Sequence, residues 1–536
     1  MTERRIFAAF IHRLNNRFQI PDWLLLLAVC GFFFFWKLSS FGLIGADEPR
    51  YAQVAREMLA RHDWVTPTLG GTAWLEKPPL YYWQAMIAYR VFGVSDWAAR
   101  LPSAFDALVL VLPVCWFLSR FRPGMELDGA LMLATCAGIV GYARAASMDM
   151  ALAATFGIAM LAWYAWFESN ERKYLAVFYA GLALGMLAKG PVAPFLAALL
   201  IALFAVSEKS IAIVKRTLWL PGIALSCVIS LPWFIAVQLR NPQFCRVFVL
   251  EHNLARFSTN LYHHPEPFWY YVPVSLLGWM PWTVLVIAGL IWSIRHVKSE
   301  NSDQLNIFLL IWIALVIFFF SISRSKLPGY ILPAVPSGAA LAARWLRERA
   351  MQKLSAVLAG LHALTASVLI FPALMIQFFL MDRPAVWGRP AVVPLIATAA
   401  VALVIFLLLF KAGWRMLRIA TLVPAIIVVA IVLRFGSPPL DNALSARSVV
   451  DALSQYDPHH LPVAAFLVPR ETEFGLAFYR NQVIPRYELG QVPDGEHMLV
   501  AAQGYPKGVS KAAGRRAVFL GNFAAQKLDF FYVPAQ

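Results

Sequence analysis

The segment GADEPRYAQVAREMLARHDWVTPTLGGTAWLEKPP, residues 45–79, places a dense set of charges directly after the first long hydrophobic run of the chain. Among its acidic residues, Asp47, Glu48 and Glu76 stand close in sequence to the basic residues Arg50 and Lys77. Charged side chains beside membrane helices are costly and usually functional. Because most of the remaining sequence is apolar, this segment is the first candidate for a functional site.

The composition indicates a membrane protein. Hydrophobic residues make up 60% of the 536 residues and charged residues only 14%, whereas soluble domains carry about 25% charged residues. Many apolar runs approach or exceed the ~20 residues that cross a bilayer, so we predict a polytopic α-helical membrane protein with about thirteen transmembrane helices. The expected spans are residues 23–43, 102–119, 128–145, 148–167, 173–188, 190–207, 217–238, 270–294, 305–323, 328–346, 354–379, 390–410 and 416–434.

The charges of the short loops set the expected orientation. With the N-terminus in the cytoplasm, every short loop assigned to that side contains Lys or Arg, as the positive-inside rule requires. An odd number of spans then places the C-terminus outside. The net charge of +16 is explained by topology and by contact with anionic membrane lipids, so no nucleic acid is expected as a partner. The cysteines form neither a metal pattern nor a disulfide framework.

The chain divides into two expected domains. Residues 1–438 form the transmembrane domain, with long outer loops at 45–100 and 239–269. Residues 439–536 are more polar and are expected to form a small α/β domain on the outer side, which in a bacterium is the periplasm. Its expected strands cover residues 463–468, 498–502 and 517–520, and its expected helices cover 445–456 and 471–479.

The first outer loop is expected to contain two helices at the membrane surface. Asp47 stands where a helix N-cap would, and Pro49 follows in the first turn. Residues 51–59 place apolar side chains on one helical face. A second helix, residues 79–92, is rich in Tyr and Trp and is stopped by Gly93.

Many charges lie on the non-cytoplasmic side, near the ends of the expected spans. If the helices gather, these charges form an outer pocket in which carboxylates stand beside cations. Such a pocket suits a phosphate-bearing substrate, because Arg and Lys bind phosphate while a carboxylate accepts a proton or orients a nucleophile. The set is Asp47, Glu48, Arg50, Glu76, Lys77, Arg144, Asp149, Lys189, Glu251, Arg256, Arg324 and Lys326.

The outward position of these charges restricts the substrate. An enzyme at the outer surface has neither ATP nor a nucleotide sugar, so its activated substrate must arrive on a lipid. A polyprenyl phosphate sugar fits, because the phosphate is both handle and leaving group. Nearby cations then neutralise the charge that develops as the glycosidic bond breaks.

Simpler interpretations of the same residues stay open. Asp47 can serve only as a helix N-cap, and Asp149 only as a first-turn carboxylate favoured by the helix dipole. Glu76 and Lys77 can form a solvated turn. Arg324 and Lys326 can instead indicate an error in the topology, against which the regular basic loops argue. Each alternative explains why a charged residue stands at its position without any role in binding a substrate.

The adjacent residues His263 and His264 are the candidate for a metal site. Neighbouring histidines do not easily share one ion, and no third ligand is spaced nearby. We therefore predict no cofactor, with a divalent metal left as an open alternative.

Five motifs carry a family resemblance. They are DEPRYA at 47–52, EKPP at 76–79, RAASMD at 144–149, AKGP at 188–191 and SKLPGYILP at 325–333. These motifs resemble those of the polyprenyl-phosphate-dependent GT-C glycosyltransferases, and among them most the 4-amino-4-deoxy-L-arabinose lipid A transferases. Together with the layout of spans and the C-terminal domain, the resemblance covers essentially the whole chain.

The resemblance implies roles for individual residues. Asp47 and Asp149 match the two outer-loop acidic residues of the family. Glu76 and Lys77 match a loop pair that lines the cavity, with Lys77 on the lipid phosphate, and Arg256 looks like a second phosphate ligand. The candidate catalytic residues are thus Asp47, Asp149 and Glu76, and the candidate ligands of the lipid donor are Lys77, Arg50, Arg256, Lys326 and Tyr330.

The resemblance also implies a reaction. These transferases are inverting and act at the periplasmic face of the bacterial inner membrane, and Tyr330 is expected near the head group of the donor. A phosphate acceptor, as on lipid A, is already ionised and hardly needs a general base. Asp47 and Asp149 are then expected to orient the amino group of the sugar or the acceptor.

The leading hypothesis is therefore transfer of aminoarabinose from undecaprenyl phosphate to lipid A. A related transferase that acts on protein hydroxyls or another envelope glycan stays open, and there Asp47 would be a true general base. A lipid-linked sugar transporter would normally show repeated halves and broken helices. No repeat is visible and the charges gather at one surface, which favours an enzyme. A purely structural envelope protein would not need outward-facing cations.

Overall fold

The structure is a computed structural model that describes residues 21–255, 266–297, 303–380, 389–504 and 506–535. The helices of its first half are α1 Asp22–Cys30, α2 Asp47–Ala60, α3 Leu80–Phe92, α4 Asp96–Phe121, α5 Glu126–Thr135, α6 Ala137–Ala143, α7 Met148–Ser169, α8 Arg172–Lys189, α9 Val192–Ser207, α10 Ile211–Thr217 and α11 Leu220–Arg240. The later helices are α12 Tyr271–Gly278, α13 Thr283–His296, α14 Gln304–Ile322, α15 Val335–Arg349, α16 Ala356–Ser367, α17 Ile370–Leu380, α18 Arg389–Ala412, α19 Leu417–Ile431, α20 Ser437–Leu444, α21 Ala446–Ser454, α22 Arg470–Arg480 and α23 Pro506–Ala513. The strands are β1 Thr68–Leu69, β2 Thr72–Ala73, β3 Val463–Phe466, β4 His497–Ala502, β5 Val518–Phe523 and β6 Leu528–Val533.

The long apolar helices confirm the predicted membrane class. Among the described residues, six stretches are long and apolar enough to cross a bilayer, and a bent pair of helices, Phe268–Gly278 and Thr283–His296, adds a seventh if it is one span. The protein is a multi-pass membrane protein, and the number of about thirteen spans stays a prediction. The six stretches are Asp96–Phe121, Met148–Ser169, Leu220–Arg240, Gln304–Ile322, Ala356–Ile376 and Ala391–Leu444.

Two of the predicted spans are interrupted, and their interruptions meet. Residues 128–145 are predicted as one span, but Cys136 is extended and separates α5 from α6. The second interrupted span is residues 270–294, which bend by 116° between α12 and α13. At this bend the carbonyl of Met280 accepts a hydrogen bond from the amide of Ala137 at 2.8 Å. Backbone that leaves the helix within a membrane protein needs such partners or a water-filled cavity. The contact therefore satisfies a polar group that the break exposes.

Residues 328–346, predicted as one span, do not form one regular α-helix, and their crossing of the membrane stays a prediction. Pro328–Ala334 form a 3-10 helix, and the helix α15 that follows has only 15 residues. Pro328 and Pro333 lack amide hydrogens, which works against a regular α-helix at this point. The 3-10 segment is largely buried and packs against α7.

Residues 45–100, which are called the first outer segment after their predicted position, form two helices, as predicted. α2 begins at Asp47, and α3 ends at Phe92, where Gly93 has a φ of 79°. The expected N-cap role of Asp47 is wrong. Ala46 occupies the N-cap position, and the Asp47 carboxylate pairs with Arg50 instead of with helix amides.

The C-terminal domain is a four-stranded sheet with the order β3-β4-β6-β5. β3 and β4 are parallel, and the other two pairs are antiparallel. The three predicted strands and two predicted helices are present. β6 is an addition whose mostly buried residues hide the usual alternation. The predicted domain boundary after residue 438 falls within α20 and stays a prediction.

Polar contacts dock the C-terminal domain on the transmembrane part. The Tyr479 hydroxyl donates to Asp96 Oδ1 at 2.7 Å and accepts from the amide of Leu43 at 2.7 Å. Arg447 pairs with Asp96 at 2.8 Å and with Asp441 at 2.7 Å. These contacts fix α22, which carries Tyr479, relative to the start of α4.

A buried ion pair connects the start of α2 with the start of α4. Arg100 is 0% exposed, and its Nη2 lies 2.7 Å from Glu48 Oε2. The other N–H groups of Arg100 donate to Glu48 Oε1 and to three carbonyls within residues 38–42. Glu48 also accepts from the amide of Ala146 at 2.6 Å. Glu48 therefore fixes the start of α2 against the turn that leads to Asp149.

Replacing Arg100 by Met should destabilise the protein strongly, because Glu48 would stay buried without a counter-ion. The expected loss is about 3–5 kcal/mol of unfolding free energy. The control is Arg240→Met, since the Arg240–Asp63 pair is solvent-exposed at Arg240 (56%) and should contribute at most about 1 kcal/mol. Thermal unfolding in detergent, followed by tryptophan fluorescence, measures both. Equal melting temperatures for the two variants would contradict this assignment.

Candidate active site

A cavity of about 1370 Å³ lies between the first outer segment, the transmembrane helices and the C-terminal domain. Both helix breaks contribute to its wall, through Ala137 and Met280. The first outer segment supplies the charged wall residues Asp47, Arg50 and Glu76, and the segment around the start of α7 supplies Arg144 and Asp149. The helices supply an apolar surface, which includes Val140, Leu369, Val428, Val429, Val432 and Leu433. The cavity therefore offers charged and apolar surface to the same ligand.

Asp47 and Arg50 form an ion pair in this wall. The guanidinium of Arg50 also lies over the rings of Tyr51 and Trp74, at 5.1 and 5.2 Å. Burial lowers the pKa of Arg50, but Tyr51, Asp47 and Glu76 outweigh it and raise that pKa above its ordinary value. Arg50 is therefore a permanent cation, and Asp47, whose side chain is 52% exposed, stays accessible from the cavity.

Asp149 belongs to a second charged group. Ser147 is the N-cap of α7 and accepts from the amide of Asp149, which places Asp149 in the first turn. Its carboxylate accepts from the Ser147 hydroxyl at 2.9 Å and pairs with Lys189. The ammonium of Lys189 lies 4.3 Å from the centre of the Tyr330 ring. Three residues from three predicted motifs thus form one contact chain.

Close backbone packing makes this group possible. A Cβ atom on Gly329 would stand 2.7 Å from Tyr142 and 2.8 Å from the carboxylate carbon of Asp149. The glycine of the SKLPGYILP motif therefore lets this segment approach Asp149. Lys77 is close enough to Asp149 for its charge to act on the carboxylate.

The remaining predicted residues are placed as follows. Glu76 lines the cavity and lies 3.6 Å from His252 Nε2. The ammonium of Lys326 donates to the carbonyls of Ser323 at 2.5 Å and Glu266 at 3.0 Å, so it is directed at backbone oxygens. Arg256 lies outside the described residues.

The two histidines at 263 and 264 also lie outside the described residues. The metal alternative for this pair therefore stays a prediction.

The structure adds residues that the sequence did not assign. Lys189 stands in a recognised motif, but only the fold shows that it contacts Asp149 and Tyr330. The C-terminal domain contributes a further part of the cavity wall, and its sequence carries no motif for this. These wall residues are Arg470, Glu471, Glu473, Phe474 and Arg486.

Comparison with known proteins identifies the family. Residues 76–235 match the family described as dolichyl-phosphate-mannose-protein mannosyltransferase. The undecaprenyl phosphate-alpha-4-amino-4-deoxy-L-arabinose arabinosyl transferase 1 of Pseudomonas fluorescens is 30% identical over 389 residues, which are 70% of this chain and 68% of that protein. The enzyme of the same name from Pseudomonas paraeruginosa is 31% identical over 385 residues, 70% of this chain and 68% of the relative.

A solved structure shares the fold. The crystal structure of ArnT from Cupriavidus metallidurans bound to undecaprenyl phosphate superposes with a TM-score of 0.78 at 22% identity, covering 95% of this chain and 97% of that one. The motifs, the architecture and the similarity over two thirds of these relatives agree. The chain belongs to the undecaprenyl phosphate-alpha-4-amino-4-deoxy-L-arabinose arabinosyl transferases, a family of membrane glycosyltransferases that use a lipid-phosphate-sugar donor.

Proposed function

We propose that the protein transfers 4-amino-4-deoxy-L-arabinose from undecaprenyl phosphate to a phosphate of lipid A at the periplasmic face of the bacterial inner membrane. The observation that carries this proposal is the mixed wall of the cavity. Charged residues such as Asp47, Arg50 and Asp149 share it with a broad apolar surface. Both substrates are amphiphiles, with charged head groups and hydrocarbon chains, and match such a wall.

The cations of the site suit the departure of a lipid phosphate. In the proposed step an oxygen of the acceptor phosphate bonds to the anomeric carbon, and the bond from that carbon to the donor phosphate breaks. Undecaprenyl phosphate leaves with the electron pair, and attack from the opposite face inverts the configuration. Arg50, Lys77 and Lys189 are the cations that would stabilise the growing negative charge. Asp149 would act as a positioning residue for Lys189.

The carboxylates suit the amino group of the sugar. At neutral pH that group is an ammonium, and Asp47 and Glu76 line the cavity as its candidate partners. The acceptor phosphate is already ionised, so neither carboxylate is needed as a general base. In this proposal Arg256 and Lys326 remain predicted phosphate ligands. Lys326 would have to release a backbone carbonyl to bind phosphate.

Broken helices, which are typical of transporters, do occur in this protein. The breaks at Cys136 and Met280 border the cavity, so broken helices do not distinguish an enzyme from a transporter in this protein. The argument for an enzyme is the cluster of opposite charges on one cavity wall, together with the membership of a transferase family.

Mass spectrometry of lipid A tests the proposed function. Cells that lack the gene should lose a phosphate-linked aminopentose, and the wild-type protein should restore it. Asp47→Asn and Lys77→Ala should fail to restore it at equal expression, because each removes a charge proposed to bind the substrate. Asp63→Asn is the matched control, since Asp63 lies in the same outer segment and pairs with Arg240. Unchanged lipid A on deletion, or a fully active Asp47→Asn protein, would contradict the proposal.

Gly329→Ala tests the packing around Asp149. The added methyl group should displace Asp149 or Tyr142 and reduce transfer by about tenfold to a hundredfold. Gly141→Ala is the control, because Gly141 also lines the cavity but has open space at its Cβ position. The purified variants are compared in a transfer assay with lipid-linked donor. Equal loss of activity in both variants would show that the close approach at Gly329 is not required.

A further inference from the structure

The C-terminal domain forms the side of the cavity that faces the charged residues of the first outer segment. Its helix α22 places Arg470, Glu473 and Phe474 in the wall, and the Phe474 ring lies 5.7 Å from the guanidinium carbon of Arg50. The wall therefore continues directly from the proposed donor site onto the C-terminal domain.

Resting on the proposed function, we propose that Arg470 binds an anionic group of the acceptor, at a position separate from the reacting phosphate. This assignment gives the C-terminal domain a part in substrate recognition. The ligand class is a lipid head group with a second phosphate.

The C-terminal domain contributes two arginines to the cavity wall, Arg470 and Arg486, and their contacts differ. Arg486 is engaged within the domain, because it pairs with Glu473 at 3.1 Å and with Glu488 at 2.5 Å. The Arg470 side chain is exposed in the cavity wall and makes no hydrogen bond or salt bridge with any residue that the structure describes, although its charge acts on the nearby carboxylate of Glu473. Its planar guanidinium group is thus available to bind a phosphate or a carboxylate through two N–H donors.

The position of Arg470 favours the acceptor over the donor. Arg470 precedes Phe474 by one helical turn, which is about 6 Å along the axis, and lies on the same helical face. The donor carries a single phosphate, and that phosphate must sit at the reacting centre near Asp149 and Lys189. In this proposal, an anion bound at Arg470, one turn from Phe474, belongs to the other substrate.

The docking of the domain makes this site rigid. Tyr479 on α22 is held by Asp96, and the carbonyl of Phe478 accepts from Arg56 Nη1 at 2.7 Å. A binding residue on a fixed helix loses little freedom when it engages its ligand. Arg470 is therefore preorganised at the level of the backbone.

Steady-state kinetics of the full-length protein in phosphatidylethanolamine–phosphatidylglycerol vesicles tests this inference. The donor is undecaprenyl phosphate-linked aminoarabinose, and the acceptor is lipid A at varied mole fraction. Arg470→Ala should raise KM for lipid A about tenfold, since a charge-assisted contact is lost. The value of kcat and the KM for the donor should change by less than about twofold, and Arg470→Lys should give an intermediate KM. The control Arg516→Ala removes an exposed arginine of the same domain outside the cavity wall and should match the wild type.

A second acceptor makes the test specific for phosphate. The second acceptor is lipid A without its second phosphate, the one that does not receive the sugar. Its KM with the wild type should equal the KM of complete lipid A with Arg470→Ala. Combining the variant with this acceptor should raise KM no further. An unchanged KM in Arg470→Ala, or an equal rise of donor and acceptor KM, would overturn the inference while leaving the proposed function intact. A wild-type protein without any transfer to lipid A would overturn the proposed function itself, and the inference with it.

Discussion

The Glu48–Arg100 ion pair is the contact on which the geometry of the site depends. Arg100 uses all of its donors on Glu48 and on the backbone that enters α2, and Glu48 holds the turn before Asp149 through the amide of Ala146. Two buried charges are tolerated only where each hydrogen bond is satisfied, and here each is. The consequence is that Asp47 and Asp149, which are distant in sequence, face the same cavity.

The position of Asp149 also determines the contacts of Lys189. Lys189 contacts the carboxylate of Asp149 and the ring of Tyr330. Gly329, the residue before Tyr330, lets the backbone of this segment lie close to Asp149. These two contacts fix the direction of the Lys189 side chain in a protein that is otherwise apolar. They explain why short motifs from separate loops occur together in one chain.

The cavity also shows how irregular backbone is used in this fold. At the break after Cys136, the amide of Ala137 donates to the carbonyl of Met280 at the other break, and both breaks border the cavity. The C-terminal domain closes another side through α22. The result is a cavity bordered by apolar side chains, by charged side chains and by the C-terminal domain. The proposed reaction, in which two lipids meet at their head groups, needs a space of this kind.

The sequence by itself determined the membrane class, the helices α2 and α3, most of the C-terminal strands and the identity of the charged residues, because hydrophobic run length, periodicity and glycine stops are local properties. It also indicated the family, through the motifs at 47–52 and 144–149. Only the tertiary structure decided that Asp47 pairs with Arg50 instead of capping α2, that residues 128–145 and 328–346 are not regular spans, and that Lys189 meets Asp149. It also placed Arg470 in the cavity wall. These features depend on contacts between segments far apart in the chain, and no local pattern of residues encodes which distant partner a charge or a broken helix will find.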